Sequence, residues 1–471
     1  MNGERTEANQ QDWQVMVRIV EGILILGIAV AVLAFGGTEP VSFALVQVLF
    51  LGVAVLLLAR PRGMTLAISA RAFVVPAMLA GVVLLQLCPL PAGLLERLTG
   101  RDYPLSGARL SSLSLDPFST RTHFLILLTC LVAFYLAQIV GQDERRKKRL
   151  VVSLVALGTL EAFYGLAQYL AGWQNIFVYV KRDDLEEATG TYINRNHYAG
   201  LLEMILPFSL ALVFYEYGEL RRNGAPPMSR ARKMITGSTL QRLILWLGIA
   251  VVLFAAILFS RSRMGIVAAS ASQLAVFGLA AAARFQEKTG LVLAASFILL
   301  SLGLAIWIGP GPILGRFESV GQEYTLGDES RLSIWRDTGE LIRQHPWLGT
   351  GLGTFPVAFT AVQTTFLGKF VNHAHDDFLE LSSDLGIPAA LALFVSILFV
   401  LARAVRSFLS AGRNFERVVA LGCAGSLFAI LLHSLADFNL YIPANALLFS
   451  TVLGLTMTMQ NGTSTEPGMP R

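Results

Sequence analysis

The chain alternates long apolar runs with short polar connections. A helix needs about 20 apolar residues to cross the hydrocarbon core of a bilayer, and in lipid the backbone must be satisfied within a helix or a closed barrel. We identify about twelve such runs, at roughly 19–36, 41–59, 72–90, 121–140, 150–171, 197–216, 241–259, 264–283, 290–309, 387–404, 417–435 and 441–459. They are too long and too uniformly apolar for barrel strands. The pattern predicts an all-α membrane protein with about twelve transmembrane helices.

Composition agrees with this interpretation. Of the 471 residues, 54% are hydrophobic and 15% are charged, whereas soluble domains carry about 25% charged residues. Membrane lipids are therefore expected partners. The net charge of +5 does not indicate nucleic acid, because the basic residues lie mostly in short loops, where they act as topology signals. Cys88, Cys130 and Cys423 lie in separate apolar runs and provide neither a disulfide framework nor a metal site.

The basic loops predict the orientation of the chain. If the N-terminus is cytoplasmic, these loops all fall in the cytoplasm, as the positive-inside rule requires; they include Arg60, Arg62, Arg71, the run 145–149, Arg221, Arg222, Arg230, Arg232, Lys233, Arg284, Lys288, Arg403, Arg406, Arg413 and Arg417. An even number of spans also returns the C-terminus to the cytoplasm. The segments at roughly 91–120, 172–196, 260–263 and 310–386 then face outward.

The chain divides into three parts on this basis. Residues 1–309 form transmembrane helices one to nine, residues 310–386 form a large periplasmic loop, and residues 387–471 form helices ten to twelve and a cytoplasmic tail. A loop of that length is usually functional or disordered. This loop predicts a short helix from Ser330 to Gln344, ended by His345-Pro346, and then alternating glycines that indicate a close backbone approach. Those glycines are Gly349, Gly351 and Gly353.

The segment from Asn372 to Glu380 is the richest in candidate chemistry. It holds His373 and His375, and histidine titrates near neutral pH, which suits proton abstraction. A polar helix start, with aspartates at the positive end of the helix dipole, is the alternative. A metal site is less favoured, because no other outward segment supplies an obvious set of ligands.

Arginines form a second cluster on the predicted outer side. A guanidinium binds phosphate oxygens bidentately and stays charged, although an arginine at a membrane edge also serves as an interfacial anchor. Together with a histidine they indicate an anionic, lipid-linked substrate, for which a diphosphate is the natural candidate. The arginines are Arg195, Arg261, Arg263, Arg316 and Arg331.

Two further polar groups have less specific interpretations. Asn194, Asn196 and His197 could either form hydrogen bonds with sugar hydroxyls or cap the helix that starts near His197. His433 and Asp437 are expected to form a polar contact within the bundle rather than to take part in catalysis.

Several of these motifs together resemble a known family. The motif set resembles the signature region of the O-antigen ligase and polymerase superfamily of membrane glycosyltransferases; it comprises Trp335, the run 346–355, the run 373–380 and Gly386. Residues 260–263 and 190–200 resemble motifs that often accompany it.

The resemblance implies a metal-independent glycosyltransferase without a cofactor. Its donor would be a glycan linked to undecaprenyl diphosphate, its acceptor a glycolipid or glycan such as the lipid A core, and its active site would lie on the periplasmic face of the bacterial inner membrane. Ten residues separate His375 from Gly386, as in the ligases, so the catalytic role falls to His375 rather than His373. The remaining implied site residues are Arg263 and Arg331 for the diphosphate, with Arg261 and Arg195 as weaker matches, and His373, Asp376, Asp377, Asn194 and Asn196 in support.

Ligase and polymerase remain open alternatives. An Arg-x-x-x-Leu pattern of some ligases is absent around Arg331 and Arg336. Transfer of glycan to a secreted protein ranks lower. A transporter or flippase is a less favoured alternative from a different class, because transporters place their polar sites near the middle of the membrane, whereas the motifs here cluster on one outer face.

Overall fold

A computed structural model gives the architecture of the chain. It describes residues 2–59, 70–99, 110–222, 238–283, 329–365, 370–410 and 414–459, with single positions at 295, 297–299, 303 and 368. The predicted cytoplasmic tail beyond 459 and the first part of the predicted loop, 310–328, lie outside the described residues.

The described residues of the first part of the chain, up to residue 283, form nine helices. They are α1 (Asn2–Leu33), α2 (Pro40–Leu58), α3 (Val74–Leu87), α4 (Ala92–Thr99), α5 (Pro117–Val140), α6 (Glu144–Ala171), α7 (Arg195–Arg222), α8 (Ser238–Phe259) and α9 (Arg263–Ala282). Short 3-10 helices lie at Phe35–Gly37 and Ala70–Phe73. Two small antiparallel pairs interrupt the helical pattern: β1 (Leu90–Pro91) pairs with β2 (Leu110–Ser111), and β3 (Asn175–Ile176) pairs with β4 (Tyr179–Val180).

The described residues from 329 to 459 add six helices. They are α10 (Glu329–Gln344), α11 (Phe355–Ala358), α12 (Asp377–Leu385), α13 (Ile387–Ser410), α14 (Asn414–His433) and α15 (Pro443–Met457). Short 3-10 helices occupy Phe359–Ala361 and Asn439–Tyr441. Helix α10 agrees with the helix predicted from Ser330 to Gln344, and its buried side includes Ile334 and Leu341.

The described residues contain nine helices long and apolar enough to cross a membrane, namely α1, α2, α5, α6, α7, α8, α9, α13 and α14. Two shorter apolar helices, α3 and α15, match the third and twelfth predicted runs. The predicted ninth span at 290–309 lies outside the described residues apart from single positions. The chain is therefore a helical, multi-pass membrane protein, and the exact number of twelve spans stays a prediction.

Helix α7 is the central helix of the bundle. Within an 18-residue apolar stretch of this helix, 94% of the residues are buried. Helices α6, α8, α9, α14 and α15 all pack against it. Helix α14 approaches it closely because Gly422 faces Phe208 and Gly425 faces Pro207, where a Cβ atom would come within 2.6 Å and 2.8 Å of those side chains. Small residues allow such close contacts between membrane helices.

Hydrogen bonds join the loops at one end of the bundle. The backbone N–H of Ala188 donates to the carbonyl of Phe259 at 3.1 Å, and that of Asp377 donates to Ser434 at 2.9 Å. The side chain of Gln86, at the end of α3, donates to the carbonyl of Asp384 at 2.8 Å. These contacts join the end of α8 to the segment before α7, the end of α14 to the start of α12, and the end of α3 to the end of α12. The sequence motifs lie at this end.

Candidate active site

The segment around His373 and His375 is fixed between α10 and α12. The indole Nε1 of Trp335 donates to the carbonyl of Ala374 at 3.0 Å, and the carboxylate of Glu380 accepts the N–H of Ala374 at 2.7 Å. Helix α12 begins directly afterwards because Asp376 caps it, accepting the N–H of Leu379 at 2.9 Å. Ala374 is therefore held from both sides, and the two flanking histidines have defined positions.

His375 is held in an unusual backbone conformation against a buried carboxylate. Its φ of 53° lies in the left-handed region, which non-glycine residues rarely adopt and which often marks functional sites. Its Nδ1 lies 3.7 Å from Oδ1 of Asp437, and the side chain remains 34% exposed. The imidazole thus has one buried nitrogen facing an acid and an edge open to a substrate.

Asp437 is surrounded by three histidines. His197 places Nε2 3.8 Å from Oδ1, and His433 places Nε2 4.0 Å from Oδ2. Burial favours the neutral form of Asp437, but the contacts with His197 and His375 outweigh it and hold the pKa of Asp437 well below its usual range. Asp437 is therefore an anion in a buried site. The described residues contain no group of three or more histidine, cysteine or acidic side chains arranged to hold a metal ion.

His373 faces a different partner from His375. Its ring stacks on Phe438, with centroids 3.8 Å apart and planes 11° apart, and its Nδ1 lies 2.7 Å from Oε1 of Glu380. Burial lowers the pKa of His373 to about 4 and raises the pKa of Glu380 to about 8. At neutral pH His373 is therefore uncharged and Glu380 is largely protonated, so this pair is a hydrogen-bonded support.

The two aspartates next to His375 in the sequence have structural partners. Asp376 caps α12, as described above. Asp377 accepts a hydrogen bond from the hydroxyl of Ser434 at 2.7 Å and from the N–H of Leu440 at 3.2 Å. Asp377 thus ties α12 to the segment after α14, which carries Asp437.

Arg331 reaches the same segment from α10. Its Nη1 donates to the carbonyl of Ala436 at 3.4 Å, directly before Asp437. Arg331 therefore contacts the residue next to Asp437, the acid that faces His375. Arg263 begins α9, immediately after Ser262, whose hydroxyl caps that helix by accepting the N–H of Gly265.

Arg195 and Arg261 are paired with acids of the 181–187 segment. Arg195 contacts Glu187 at 2.6 Å and Asp184 at 3.4 Å. Arg261 contacts Glu186 at 3.3 Å and Glu187 at 4.0 Å. Their charges are partly compensated by these carboxylates, in contrast to the backbone contact of Arg331.

The asparagines at the start of α7 have a capping arrangement. The side-chain oxygen of Asn194 accepts the N–H of Asn196 at 2.7 Å, and the carbonyl of Asn194 accepts the N–H of Tyr198. This geometry is typical of a helix start. His197, the next residue, contacts Asp437.

The alternating glycines make a close contact with the end of α12. Gly349 has a φ of 66°, and a Cβ there would come within 2.3 Å of the carbonyl oxygen of Asp384. At Gly386, with φ 82°, a Cβ would come within 2.4 Å of the carbonyl oxygen of Trp347. Leu352 donates its N–H to Gln86 at 3.1 Å. The glycines are therefore required for packing between the loop, α3 and α12, and Gly386 ends the helix that His375 precedes.

An apolar cavity of about 480 Å³ lies beside this site. It is lined from five helices, by Leu79 of α3, Leu127 of α5, Leu381 of α12, Leu393 of α13 and Leu453 of α15 among others. His123 and Tyr441 supply polar atoms to its wall. The ring of Tyr441 lies 5.7 Å from that of His373 and 6.2 Å from that of His123, measured between centroids. The cavity and the histidine segment are thus neighbours.

Two site residues were not assigned to the site by the sequence. Asp437 was expected only in a polar contact within the bundle, and Glu203, whose carboxylate lies 3.0 Å from Nδ1 of His433, was not singled out. The available signals were an acid within an apolar run and the spacing of four residues between His433 and Asp437, which suits a contact at a helix end.

Comparison with known proteins identifies part of the chain. Residues 248–395 match the family model described as O-antigen ligase. The chain contains an O-antigen ligase region. Over these residues the match confirms the resemblance stated from the motifs. The O-antigen ligase region includes Arg263, Arg331, His375 and Gly386, and it ends before Asp437. A search of curated proteins finds no match to the chain.

Proposed function

We propose that the protein transfers a glycan from undecaprenyl diphosphate to an acceptor on the periplasmic face of the bacterial inner membrane. The observation that carries this proposal is the contact between His375 and Asp437, because it supplies an oriented base within reach of solvent. The O-antigen ligase region and the neighbouring apolar cavity support the substrate class. A ligase acting on a lipid A core or similar acceptor is the first form of the proposal, and a polymerase joining lipid-linked repeats is its alternative.

His375 acts as the general base. Asp437 faces Nδ1, which favours the tautomer with a proton on Nδ1 and a lone pair on Nε2, as the acid of a catalytic triad does. Nε2 removes the proton of an acceptor hydroxyl. The oxygen forms a bond to the anomeric carbon of the donor, the bond from that carbon to the diphosphate oxygen breaks, and the bonding electrons leave with undecaprenyl diphosphate. Attack opposite the leaving group inverts the anomeric centre, and the proton on His375 passes to water or to the leaving group.

Arg331 and Arg263 stabilise the departing diphosphate. Negative charge grows on its oxygens as the bond from the anomeric carbon to the diphosphate breaks. A fixed guanidinium beside these oxygens stabilises the transition state more than the ground state. Arg331 donates a hydrogen bond to the segment that holds Asp437. Arg195 and Arg261 fit a more distant role, because Glu187 already lies within 4.0 Å of both. The reaction needs neither a metal ion nor a nucleotide, since the donor carries its own activated bond.

The apolar cavity accommodates part of the polyprenyl chain. Its wall is formed mainly by leucine, valine and phenylalanine side chains of α3, α5, α13 and α15. An isoprenoid chain offers no hydrogen bonds and gains free energy from burial against such side chains. A chain held there would bring its diphosphate towards His123 and Tyr441, and hence towards His373.

Basic side chains at the opposite end of the bundle support the orientation. Arg149 pairs with Glu21 at 2.6 Å near the start of α6, and Arg403 donates to the carbonyl of Thr456 at 3.2 Å near the end of α15. Positive residues flanking spans face the cytoplasm, so the end that carries His375 would face the periplasm and both termini would be cytoplasmic.

A complementation experiment tests the proposal. The gene is deleted and restored as wild type, as His375→Ala, or as His345→Ala, a matched control histidine in the loop. Surface glycolipids and polysaccharides are then separated on silver-stained gels. Unmodified core with accumulated lipid-linked polymer identifies a ligase, and a core or lipid carrying a single repeat identifies a polymerase.

The catalytic assignment requires His375→Ala to fail where wild type and His345→Ala succeed, at equal amounts of protein in the membrane. Full complementation by His375→Ala would contradict the role of His375. A deletion that changes no glycan would contradict the proposed function altogether.

A further inference from the structure

We propose that Glu203 and His433 are positioning residues for the transfer reaction, and that they control how readily His375 accepts a proton. The inference rests on the function proposed above and extends its site from the exposed end of the bundle into the core. It assigns a role to an acid and a histidine that the mechanism does not otherwise use.

The contacts form one continuous path from α7 to the base. Both carboxylate oxygens of Glu203 lie 3.0 Å from Nδ1 of His433. Nε2 of His433 lies 4.0 Å from Oδ2 of Asp437. Oδ1 of Asp437 lies 3.7 Å from Nδ1 of His375. Each member therefore faces the next, and the path ends at the exposed imidazole.

The position of this path argues against a merely structural contact. Glu203 and His433 are fully buried and Asp437 is 1% exposed. Charged groups inside a membrane protein carry a large desolvation cost and usually mark a functional site. Here two acids and a histidine lie where apolar side chains would pack against α7 and α14 at lower cost.

The facing atoms are not used by other partners. Nε2 of His433, Oδ2 of Asp437, Nδ1 of His375 and Nε2 of His197 are buried and have no hydrogen-bond partner within the described part of the chain. Buried polar atoms are normally hydrogen-bonded. We therefore expect the three distances between Asp437 and the histidines to shorten from 3.7–4.0 Å to hydrogen-bonding distance, which gives each of these atoms a partner. The N–H of Phe438 already fixes Oδ1 of Asp437 at 2.9 Å.

The protonation of the path determines its effect on the base. Glu203 and His433 share a proton: either His433 carries it and donates to both carboxylates, or Glu203 carries it and donates to His433. With Asp437 ionised, Glu203, His433 and Asp437 together hold a charge of −1 in both cases. When His375 takes the proton of the acceptor hydroxyl, the charge of these groups and His375 together becomes zero, which a low-dielectric site favours.

Other titratable groups also act on Asp437. His197 contacts it directly, and the groups that interact with it electrostatically at longer range include His373, Asp377 and Glu380. These residues are left unchanged in the test, so that their effect is the same in every variant.

Two variants with opposite expected effects test the inference. His433→Gln removes the imidazole, and with it the positive charge that faces Asp437 when His433 is protonated. The buried Glu203 then takes up a proton, Asp437 faces His375 without a neighbouring cation on α14, and His375 keeps its proton to higher pH. Glu203→Gln removes a negative charge while its amide oxygen still accepts from a protonated His433, so His375 loses its proton at lower pH. The matched controls are Ser426→Ala on α14 and Ser209→Ala on α7, which are buried polar positions outside the path.

The full-length protein is reconstituted in liposomes, and kcat and KM for a lipid-linked donor are measured from pH 5 to pH 9. We expect the acidic limb of the kcat profile to move up by at least half a pH unit in His433→Gln and down by a similar amount in Glu203→Gln, with KM within about threefold of wild type and unchanged limbs in both controls. Unchanged limbs in both variants, or shifts in the same direction, would overturn the inference. If His433→Gln does not fold, Glu203→Gln carries the test alone.

The same assay separates this inference from the proposed function. An inactive wild type, or an active His375→Ala, refutes the function. An active wild type and an inactive His375→Ala, with both path variants behaving like the serine controls, refutes only the role of Glu203 and His433.

Discussion

Oδ1 of Asp437 lies 3.7 Å from Nδ1 of His375, although two transmembrane helices, α13 and α14, separate these residues in the sequence. The N–H of Asp377 donates to the carbonyl of Ser434 at 2.9 Å, and the carboxyl of Asp377 accepts the hydroxyl of Ser434 at 2.7 Å. The acid that faces the proposed base therefore comes from the end of α14, and Asp377 connects the two segments.

Asp437→Asn is expected to lower transfer by about 10²-fold or more, the usual range for loss of general acid–base catalysis. The amide keeps the shape of the side chain but removes the charge that favours the reactive tautomer of His375. Asp376→Asn is the matched control, because asparagine caps a helix as well as aspartate does. Initial rates at equal protein amounts measure both. A larger loss in Asp376→Asn than in Asp437→Asn would contradict the assignment.

The elements that were predictable from the sequence depend on local patterns. Apolar runs of sufficient length located α14 within about three residues at each end and the start of α7 within about two, although α7 continues beyond the predicted end at 216 to Arg222. The capping residues with His345-Pro346 predicted α10 almost to its ends. Hydrophobic length and capping are properties of neighbouring residues, so no knowledge of tertiary packing is needed.

The site was only partly predictable because its contacts join distant segments. His375 and Gly386 followed from motifs within one stretch of chain. The contact with Asp437 depends on how α14 packs, and the pairing of Arg195 with Glu187 depends on the fold of an irregular segment. Neither relation has a sequence period or a fixed spacing.

The arginines are expected to differ in their effects. Arg331→Gln should lower kcat by about 10²–10³-fold, the usual cost of removing a group that stabilises transition-state charge. Arg195→Gln should lower kcat less than about tenfold. Glu187 still has Arg261 within 4.0 Å as a positive partner, and Arg331 still stabilises the diphosphate. Single-turnover rates with a diphosphate-linked donor compare the two variants. Equal losses would remove the distinction between these arginines.

Gly353→Ala is expected to destabilise the protein by about 2–5 kcal/mol, combining a left-handed backbone with an overpacked site. Gly353 has a φ of 78°, and a Cβ there would come within 2.0 Å of Nδ1 of His123. Gly339→Ala is the matched control, since its Cβ would meet nothing within 4 Å and alanine stabilises a helix by about 0.5–1 kcal/mol relative to glycine. Thermal unfolding in detergent measures both. A neutral Gly353→Ala would show that the loop does not need this close approach.

The free energy of unfolding of wild type, minus that of Glu380→Gln, is expected to fall as the pH rises. Burial raises the pKa of Glu380 from 4.5 to about 8, so the folded protein binds one proton more than the unfolded chain between these values. The stabilisation that the proton on Glu380 provides is fully present below about pH 4.5 and is lost as the pH passes through 8. Between these values the free energy of unfolding changes by at most about 1.4 kcal/mol per pH unit. Glutamine mimics the protonated acid at His373 and Ala374 and does not titrate.

Unfolding temperatures of both proteins from pH 5 to pH 9 give the difference directly. A difference that stays constant, or that rises with pH, would show that Glu380 is ionised in the folded protein.

The apolar cavity predicts a selective defect in donor binding. Ser396 lies on α13 and lines the cavity, so Ser396→Trp should fill part of its 480 Å³ and raise KM for a long-chain polyprenyl donor by about tenfold, since each displaced CH₂ forfeits about 0.8 kcal/mol of burial. Leu398→Trp is the matched control, because Leu398 lies on the same helix and is 56% exposed. A donor with a short, water-soluble chain should be used equally well by wild type and by both variants, since it does not enter the cavity. If Ser396→Trp impaired both donors equally, the cavity would have no specific role in holding the lipid, and the polyprenyl chain would have to lie elsewhere on the bundle.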